Sequence, residues 1–399
     1  MIEDRDLIER FNAVDVPPSR LTATGLVEAG RRRVVRRRAL RTGSGVALVA
    51  ALAFAVPAVV ARAGGQPADS ADGGQRVVRC EPARLPLPAG MTDVQAEAVD
   101  PTGRYIIGNA ITRRGEYNSS KGEDIDMRPL LWTDGKVQAL PLIGASVRVS
   151  AVDARGTVVA VAGDSERYGR WSAVVRYVGG VPETLTAPSG GWVFAANPKI
   201  DPEGNILAVA FRKSRPHDPA VLIWKAGSTT ATRLPLVAGI ETLNVTDAGT
   251  VVADVVSKTA RSETHAVHLW DQQGRSRRLA TPDALGGRNF AARGDWVAAR
   301  LGPSERVVRW SLRTGEMTDT GVVGQVNGVN ALGWVLAGHS VRRADATVEL
   351  AAPGGLTAAP VDVSDTGIVV GSARRFGTTV PTSAPSPSGA GPYIWRCDR

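Results

Sequence analysis

Seven times along this 399-residue chain a short turn carrying glycine leads into a run rich in valine. The glycines are Gly103, Gly156, Gly204, Gly249, Gly294, Gly333 and Gly367. The first and last stand 264 residues apart, a mean period of about 44. A period in the forties built from strand-like pieces predicts blades arranged around an axis, an all-β propeller.

The best copies align residue by residue. One reads AVDARGTVVAVAG from Ala151, then AVVRY ending at Tyr177, then ETL at Leu185. Another reads KIDPEGNILAVAF from Lys199, then AVLIW ending at Trp224, then TRLPL at Leu236. Each unit therefore holds four pieces. Piece A enters the turn, piece B is the Val/Ile/Ala run after the glycine, piece C ends in an aromatic, and piece D carries a leucine. Branched and aromatic residues suit a pleated, half-buried surface. Asp or Asn bonds its own backbone in the turn, and Gly supplies a positive φ. Six units carry the aromatic at the end of C: Trp132, Tyr177, Trp224, Trp270, Trp310 and Trp395. The sixth unit, NALGWVLAG from Asn330, lacks it and lies only 34 residues before the next. Seven blades are expected, with six or eight left open by that unit.

The two cysteines, Cys80 and Cys397, bracket the repeats. The stretch after Cys80, EPARLPLP, matches a D piece, and Cys397 follows the C piece YIW of the last unit. The N-terminal strand is thus expected to complete the last blade, which removes open edges from the ring. A Cys80–Cys397 disulfide would staple that closure, and a disulfide implies an oxidising, extracytoplasmic setting.

Upstream of the repeats, residues 42–61 carry no charge and run between Arg41 and Arg62. Twenty helical residues span about 30 Å, the hydrocarbon thickness of a bilayer. Seven arginines lie between Gly30 and Arg41. The positive-inside rule keeps that end in the cytoplasm and puts the repeats outside. The division expected is a basic cytoplasmic arm (1–41), a transmembrane signal anchor (42–62), a flexible linker (63–79) and the propeller (80–399). The alternative is secretion after cleavage near Ala63. Residues 6–11, DLIERF, space Leu7, Ile8 and Phe11 as one face of a short helix.

The net charge is +9, of which the first 41 residues hold ten Arg against six acidic residues. The rest of the chain is only mildly basic, which gives no case for nucleic acid. No P-loop, G-x-S-x-G, H-E-x-x-H or EF-hand loop occurs. The four histidines are His217, His265, His268 and His339. Strand alternation puts His265 and His268 on opposite faces, which makes them poor joint metal ligands. No catalytic residue, metal or cofactor is assigned.

Two segments depart from the repeat length. Unit one inserts TRRGEYNSSKGEDIDM around residues 112–127, and unit seven inserts RRFGTTVPTSAPSPSGAG around 374–391, each between B and C. Units one and seven become neighbours when the ring closes, so both insertions are expected on one rim. They bring Arg113, Arg114 and Tyr117 beside Arg374, Arg375 and Phe376, with Arg212, Lys213 and Arg215 of unit three on the same face. Long loops on a rigid scaffold are where binding concentrates.

The pattern T/S-D-x-G-x-V-V-x…A/P-x-x-x-W of units four and seven resembles the HAF-type extracellular repeats of bacteria. Residues 80–397 as a whole are similar to TolB-like and WD-repeat-like propellers. The arm, arginine cluster and apolar run resemble the N-termini of single-pass envelope proteins of actinobacteria. The anchor, the cysteines and the basic rim together lead to the expectation of a membrane-anchored binding or scaffold module outside the cell, with an anionic cell-wall polymer or envelope protein as partner. The resemblances transfer no catalytic residues. Two other readings stay open. One is a propeller-type enzyme (lyase, lactonase or glycosidase) at the channel mouth, against which the apolar inner strands argue. The other is a transmembrane sensor with residues 1–41 as output.

Overall fold

The computed structural model describes residues 80–397 apart from 115–124, 164–169, 237–239, 259–262, 272–273, 280–284, 303, 345 and 375–390. The apolar run 42–61 and the arm before it lie outside the described residues. Among the described residues no helix is long and apolar enough to cross a membrane.

Seven antiparallel sheets follow one another along the chain, one per repeat, and the fold is a seven-bladed β-propeller. Blade 2 shows the plan, with strands A to D at Ser146–Val152, Val158–Gly163, Ala173–Val178 and Val181–Leu185. Its B strand, VVAVAG, is buried at every position. The cause is packing on both faces. Val158, Ala160 and Ala162 meet blade 1, while Val159 and Val161 meet blade 3. A continuous apolar run replaces alternation wherever a strand is covered on both sides. Seven hydrophobic clusters fill the seven gaps between successive blades.

The turns between strands A and B explain the recurring glycines. In six blades the residue three before the glycine is polar and buried: Asp100, Asp153, Asp201, Thr246, Asn330 and Ser364. Its side chain accepts backbone N–H groups that the turn leaves over. Asp153 Oδ1, for example, takes the amides of Arg155 (3.0 Å) and Thr157 (2.8 Å). The amide of the glycine then bonds the carbonyl of that same residue, 3.0 Å in the case of Gly156 to Asp153. Gly156 has φ +80°, and a Cβ there would lie 2.7 Å from the ring of Tyr105 in blade 1. Glycine is thus required both by conformation and by the approach of the neighbouring blade. Blade 5 departs from the plan: Arg293 pairs with Trp296 around a two-residue hairpin, Gly294-Asp295.

The aromatics ending strand C tie each blade to the one before. Trp132 Nε1 donates to Pro86 O (2.8 Å), Tyr177 Oη to Pro141 O (2.8 Å), Trp224 Nε1 to Thr186 O (3.0 Å) and Trp395 Nε1 to Ala351 O (2.6 Å). Each acceptor follows strand D of the preceding blade. Burial also pushes the Tyr177 phenol up to about 12. Blade 6 has four short strands, Val326–Val329, Val335–Ala337, Ser340–Arg342 and Thr347–Glu349, and buries Val341 in its C strand. It is a complete four-stranded blade nonetheless, which fixes the count at seven.

The ring closes as the sequence suggests. Cys80–Arg84 pairs antiparallel with Gly391–Cys397, itself paired with Ile368–Arg374 and then Thr357–Val363. Cys80 lies opposite Cys397 in that register, and the two form a disulfide.

Candidate functional site

The inner A strands of all seven blades line one polar cavity of about 250 Å³ on the propeller axis. It lies toward the A–B turns, since its wall includes Pro101, Asp153, Asp201 and Asp247. The B–C segments leave the opposite ends of the B strands.

A recurring backbone device places polar side chains on this wall. In five A strands the pairing with strand B skips a residue, and in four of them the skipped residue lines the cavity: Glu97, Ser150, Asn327 and Val361. A β-bulge of this kind breaks the alternation and re-aims a side chain. The B strand accommodates it with glycine in two blades. A Cβ on Gly108 would fall 2.3 Å from Gln95 O, and one on Gly371 would fall 2.4 Å from Ala359 O. No bulky residue fits against a backbone that close.

Glu97 (blade 1), Lys199 (blade 3), Arg293 (blade 5) and Asp362 (blade 7) meet in the cavity from four blades, with Asp153 and Arg155 of blade 2, Asp201 of blade 3 and Asp247 of blade 4 toward the turns. Asp362 Oδ2 accepts the Val99 amide (3.0 Å) and Oδ1 the amide of Val363 (2.8 Å). Burial nevertheless raises its carboxyl above the ordinary value, against the opposing pull of Arg293, the two amides and Lys199. Burial likewise lowers Lys199, with Asp362 and Glu97 opposing and Arg293 adding to the effect. Asp247 is raised by burial too, chiefly opposed by Arg293. Arg293 donates Nη1 to Val363 O (3.3 Å) and holds Nε 4.0 Å from Asp365, so blade 5 reaches blade 7 past the short blade 6. Glu97 lies 4.0 Å from Arg148.

The expectation of apolar inner strands is therefore corrected. Ala and Val dominate these strands by number, but the charged residues among them converge. Five carboxylates, Glu97, Asp153, Asp201, Asp247 and Asp362, reach the channel wall. Among the described residues no group of three or more His, Cys, Asp or Glu is placed to hold a metal ion.

Three of the six rim residues lie outside the described part. Arg113 and Arg114 end the B strand of blade 1, Tyr105–Arg114, where their backbones pair with Asp126 and Ile125. Arg374 ends the B strand of blade 7 and is exposed. Tyr117, Arg375 and Phe376 lie outside the described residues. Blades 1 and 7 are neighbours, joined by the Val99–Asp362 bond and by Asp365 N to Pro101 O (3.0 Å). The strand ends Arg114 and Arg374 thus lie at the same end of adjacent blades. Arg212 stacks on Trp192, its guanidinium carbon 5.1 Å from the ring centroid. The histidines behave as alternation demands. His265 Nδ1 bonds buried Asp254 (2.7 Å), whereas His268 stacks on Trp270 and is lowered by burial and by Arg278.

A second cleft, between blades 4 and 5 beside the short Gly294-Asp295 hairpin, carries arginines that are already engaged. Arg275 pairs with Asp271 (2.7 Å) and Arg277 donates to Leu312 O (3.2 Å).

The class that the fold defines is the seven-bladed β-propeller. The chain is similar to an oligogalacturonate lyase from Vibrio parahaemolyticus (8% identity, TM-score 0.52, covering 80% of this chain and 97% of that one). It is similar also to the WD40 repeats of RRP9 (10%, 0.47, 80% and 100%) and to TolB from Acinetobacter baumannii (13%, 0.38, 76% and 63%). At these identities the likeness is one of fold alone. No protein-family model matches the sequence, and no curated protein shows significant sequence similarity to it.

Proposed function

We propose that this protein is a binding or scaffold module displayed outside the cytoplasmic membrane. In this reading residues 42–62 hold it in the membrane with residues 1–41 inside, and the ring contacts an anionic polymer of the envelope. The observation that carries the reading is that the strand ends flanking the two long B–C insertions, Arg114 and Ile125 in blade 1 and Arg374 and Gly391 in blade 7, belong to adjacent blades. Each insertion carries an arginine pair, Arg113-Arg114 or Arg374-Arg375. The seven inter-blade cores make the ring a rigid platform for such a rim. The Cys80–Cys397 disulfide agrees with an oxidising compartment.

The test is co-sedimentation of the full-length protein, in detergent, with purified teichoic or other acidic wall polymer. Wild type is expected to sediment with the polymer in a salt-sensitive way. The variant with Arg113, Arg114, Arg374 and Arg375 all changed to Ser is expected to stay in solution. Equal sedimentation of the two would overturn the rim reading. Protease added to intact cells tests the topology: digestion of the ring is expected, and full protection would contradict it.

The channel carboxylates favour a second reading, an enzyme acting in the channel. Within the described residues they form no metal cluster, and Asp153 is held by Arg155 (2.7 Å).

A further inference from the structure

The cavity on the axis contains two cations whose positive charge is incompletely matched. Lys199 is half-buried on the channel wall, where Asp362 and Glu97 act on its charge, yet among the described residues its amine has no hydrogen bond or close ion pair. Arg293 commits Nη1 to a carbonyl and Nε to a distant carboxylate, and its Nη2 has no partner among the described residues. A cation partly removed from bulk water without a hydrogen-bonded counter-ion is unfavourable. An anionic group between the two would relieve both.

Around these cations the wall offers acceptors. Asp362 takes one backbone amide on each oxygen, which leaves lone pairs on both. Asn244 and Asn327 donate through Nδ2 to Phe290 O (3.4 Å) and Gly338 O (3.1 Å), and their Oδ1 atoms accept no bond from the described residues. Glu97 adds a further carboxylate. Such acceptors suit hydroxyl hydrogens. The space is small: about 250 Å³ holds roughly eight waters at ~30 Å³ each. Gly328, whose absent Cβ would stand 3.4 Å from Asp362 Oδ1, keeps the wall beside that carboxylate free of side chain.

We infer that the axial cavity binds a small polyhydroxylated carboxylate, its carboxylate between Lys199 and Arg293 and its hydroxyls on Asp362, Glu97, Asn244 and Asn327. The site lies at the end of the channel opposite the rim and is independent of the rim reading.

Titration calorimetry of the full-length protein with gluconate tests it, with sorbitol (the hydroxyls without the charge), acetate (the charge without the hydroxyls) and inorganic phosphate as comparisons. Gluconate is expected to bind saturably below about 1 mM. The three comparison compounds are each expected to bind about 10-fold more weakly or worse, as loss of one charge-assisted set of bonds requires. Lys199→Met is expected to weaken gluconate by a similar factor with an unchanged unfolding temperature, and Lys199→Arg to retain most of the affinity. No saturable binding of gluconate up to about 10 mM, or affinity unchanged in Lys199→Met, would overturn the proposal. Should Lys199→Met fail to fold, wild type decides by itself. Gluconate at that concentration is expected to protect Lys199 from acetylation by acetic anhydride, read by peptide mass, and undiminished labelling overturns the site.

Discussion

Asp362 illustrates how the channel acts on a single residue. Its carboxyl is raised because burial disfavours the anion more than Arg293, Lys199 and two amides favour it. A raised folded-state value means that the native protein holds its proton at a pH where the unfolded chain has lost it. Stability from this group therefore rises as pH falls through the folded value toward the ordinary carboxylate range, and the penalty is fully present above it. Asp362→Asn keeps an acceptor for the Val99 amide and removes the titration. Compared by urea unfolding from neutral to mildly acid pH, wild type is expected to gain on this variant as pH falls. Lys199 acts in the opposite sense. Its folded value is lowered, so its penalty is present below that value and is relieved as pH rises toward the unfolded value. Gluconate affinity, which uses the charged amine, is expected to fall over the same rise in pH.

Gly371 and Gly135 separate two reasons for glycine. A methyl group on Gly371 would meet the backbone of Ala359 and Pro360 at 2.4 and 2.5 Å, whereas Gly135 has φ +79° and open space around it. Gly135→Ala is expected to cost about 1–2 kcal/mol, the left-handed penalty alone. Gly371→Ala is expected to cost about 3 kcal/mol or more and to disturb the bulge beside Asp362, since neither backbone segment can yield. Urea midpoints measure both. The turn glycines were legible in the sequence because each sits in a short motif. Glu97, Lys199, Arg293 and Asp362 were not, because each lies in a different repeat and in no motif of its own until bulges and blade order bring them together. The interior glycines Gly108 and Gly371 were the available signal, since a glycine in a buried strand marks close backbone approach.

At the scale of strands and blades, the aromatic ending strand C both fills the core and donates a hydrogen bond backward. Trp224 is fully buried, with Nε1 on Thr186 O. Trp224→Phe keeps most of the apolar surface and removes one of that carbonyl's two donors, the Ala231 amide (3.0 Å) remaining, at a cost of about 0.5–1.5 kcal/mol. Trp224→Ala is expected to cost about 3–5 kcal/mol through the cavity it leaves. Denaturant unfolding of the two variants separates the bond from the packing. Blade 6 forms without this aromatic, with Val341 at the buried position, and its brevity made the blade count ambiguous in the sequence. The two-residue hairpin of blade 5 was equally hidden. Its Arg-Gly-Asp-Trp reads like the other glycine turns, and only the Arg293–Trp296 pairing reveals the shortening.

For the whole molecule, period and cysteine positions made both the ring and its closure readable. They gave no view of which end of the channel is polar, because that depends on seven strands at once. Removing the staple by Cys80→Ser with Cys397→Ser is expected to cost about 3–5 kcal/mol, since the bond spans 317 residues of sequence. Calorimetry should show a lower melting temperature for the variant, and wild type in reducing agent should fall to the same value. The closure also has a mechanical meaning. The chain enters the ring at Cys80 and leaves it at Cys397, and the two are covalently joined. A pull applied between the two ends loads one sulfur–sulfur bond and bypasses every blade, so in a single-molecule stretching experiment the oxidised ring should add no contour length, and after reduction it should unravel blade by blade.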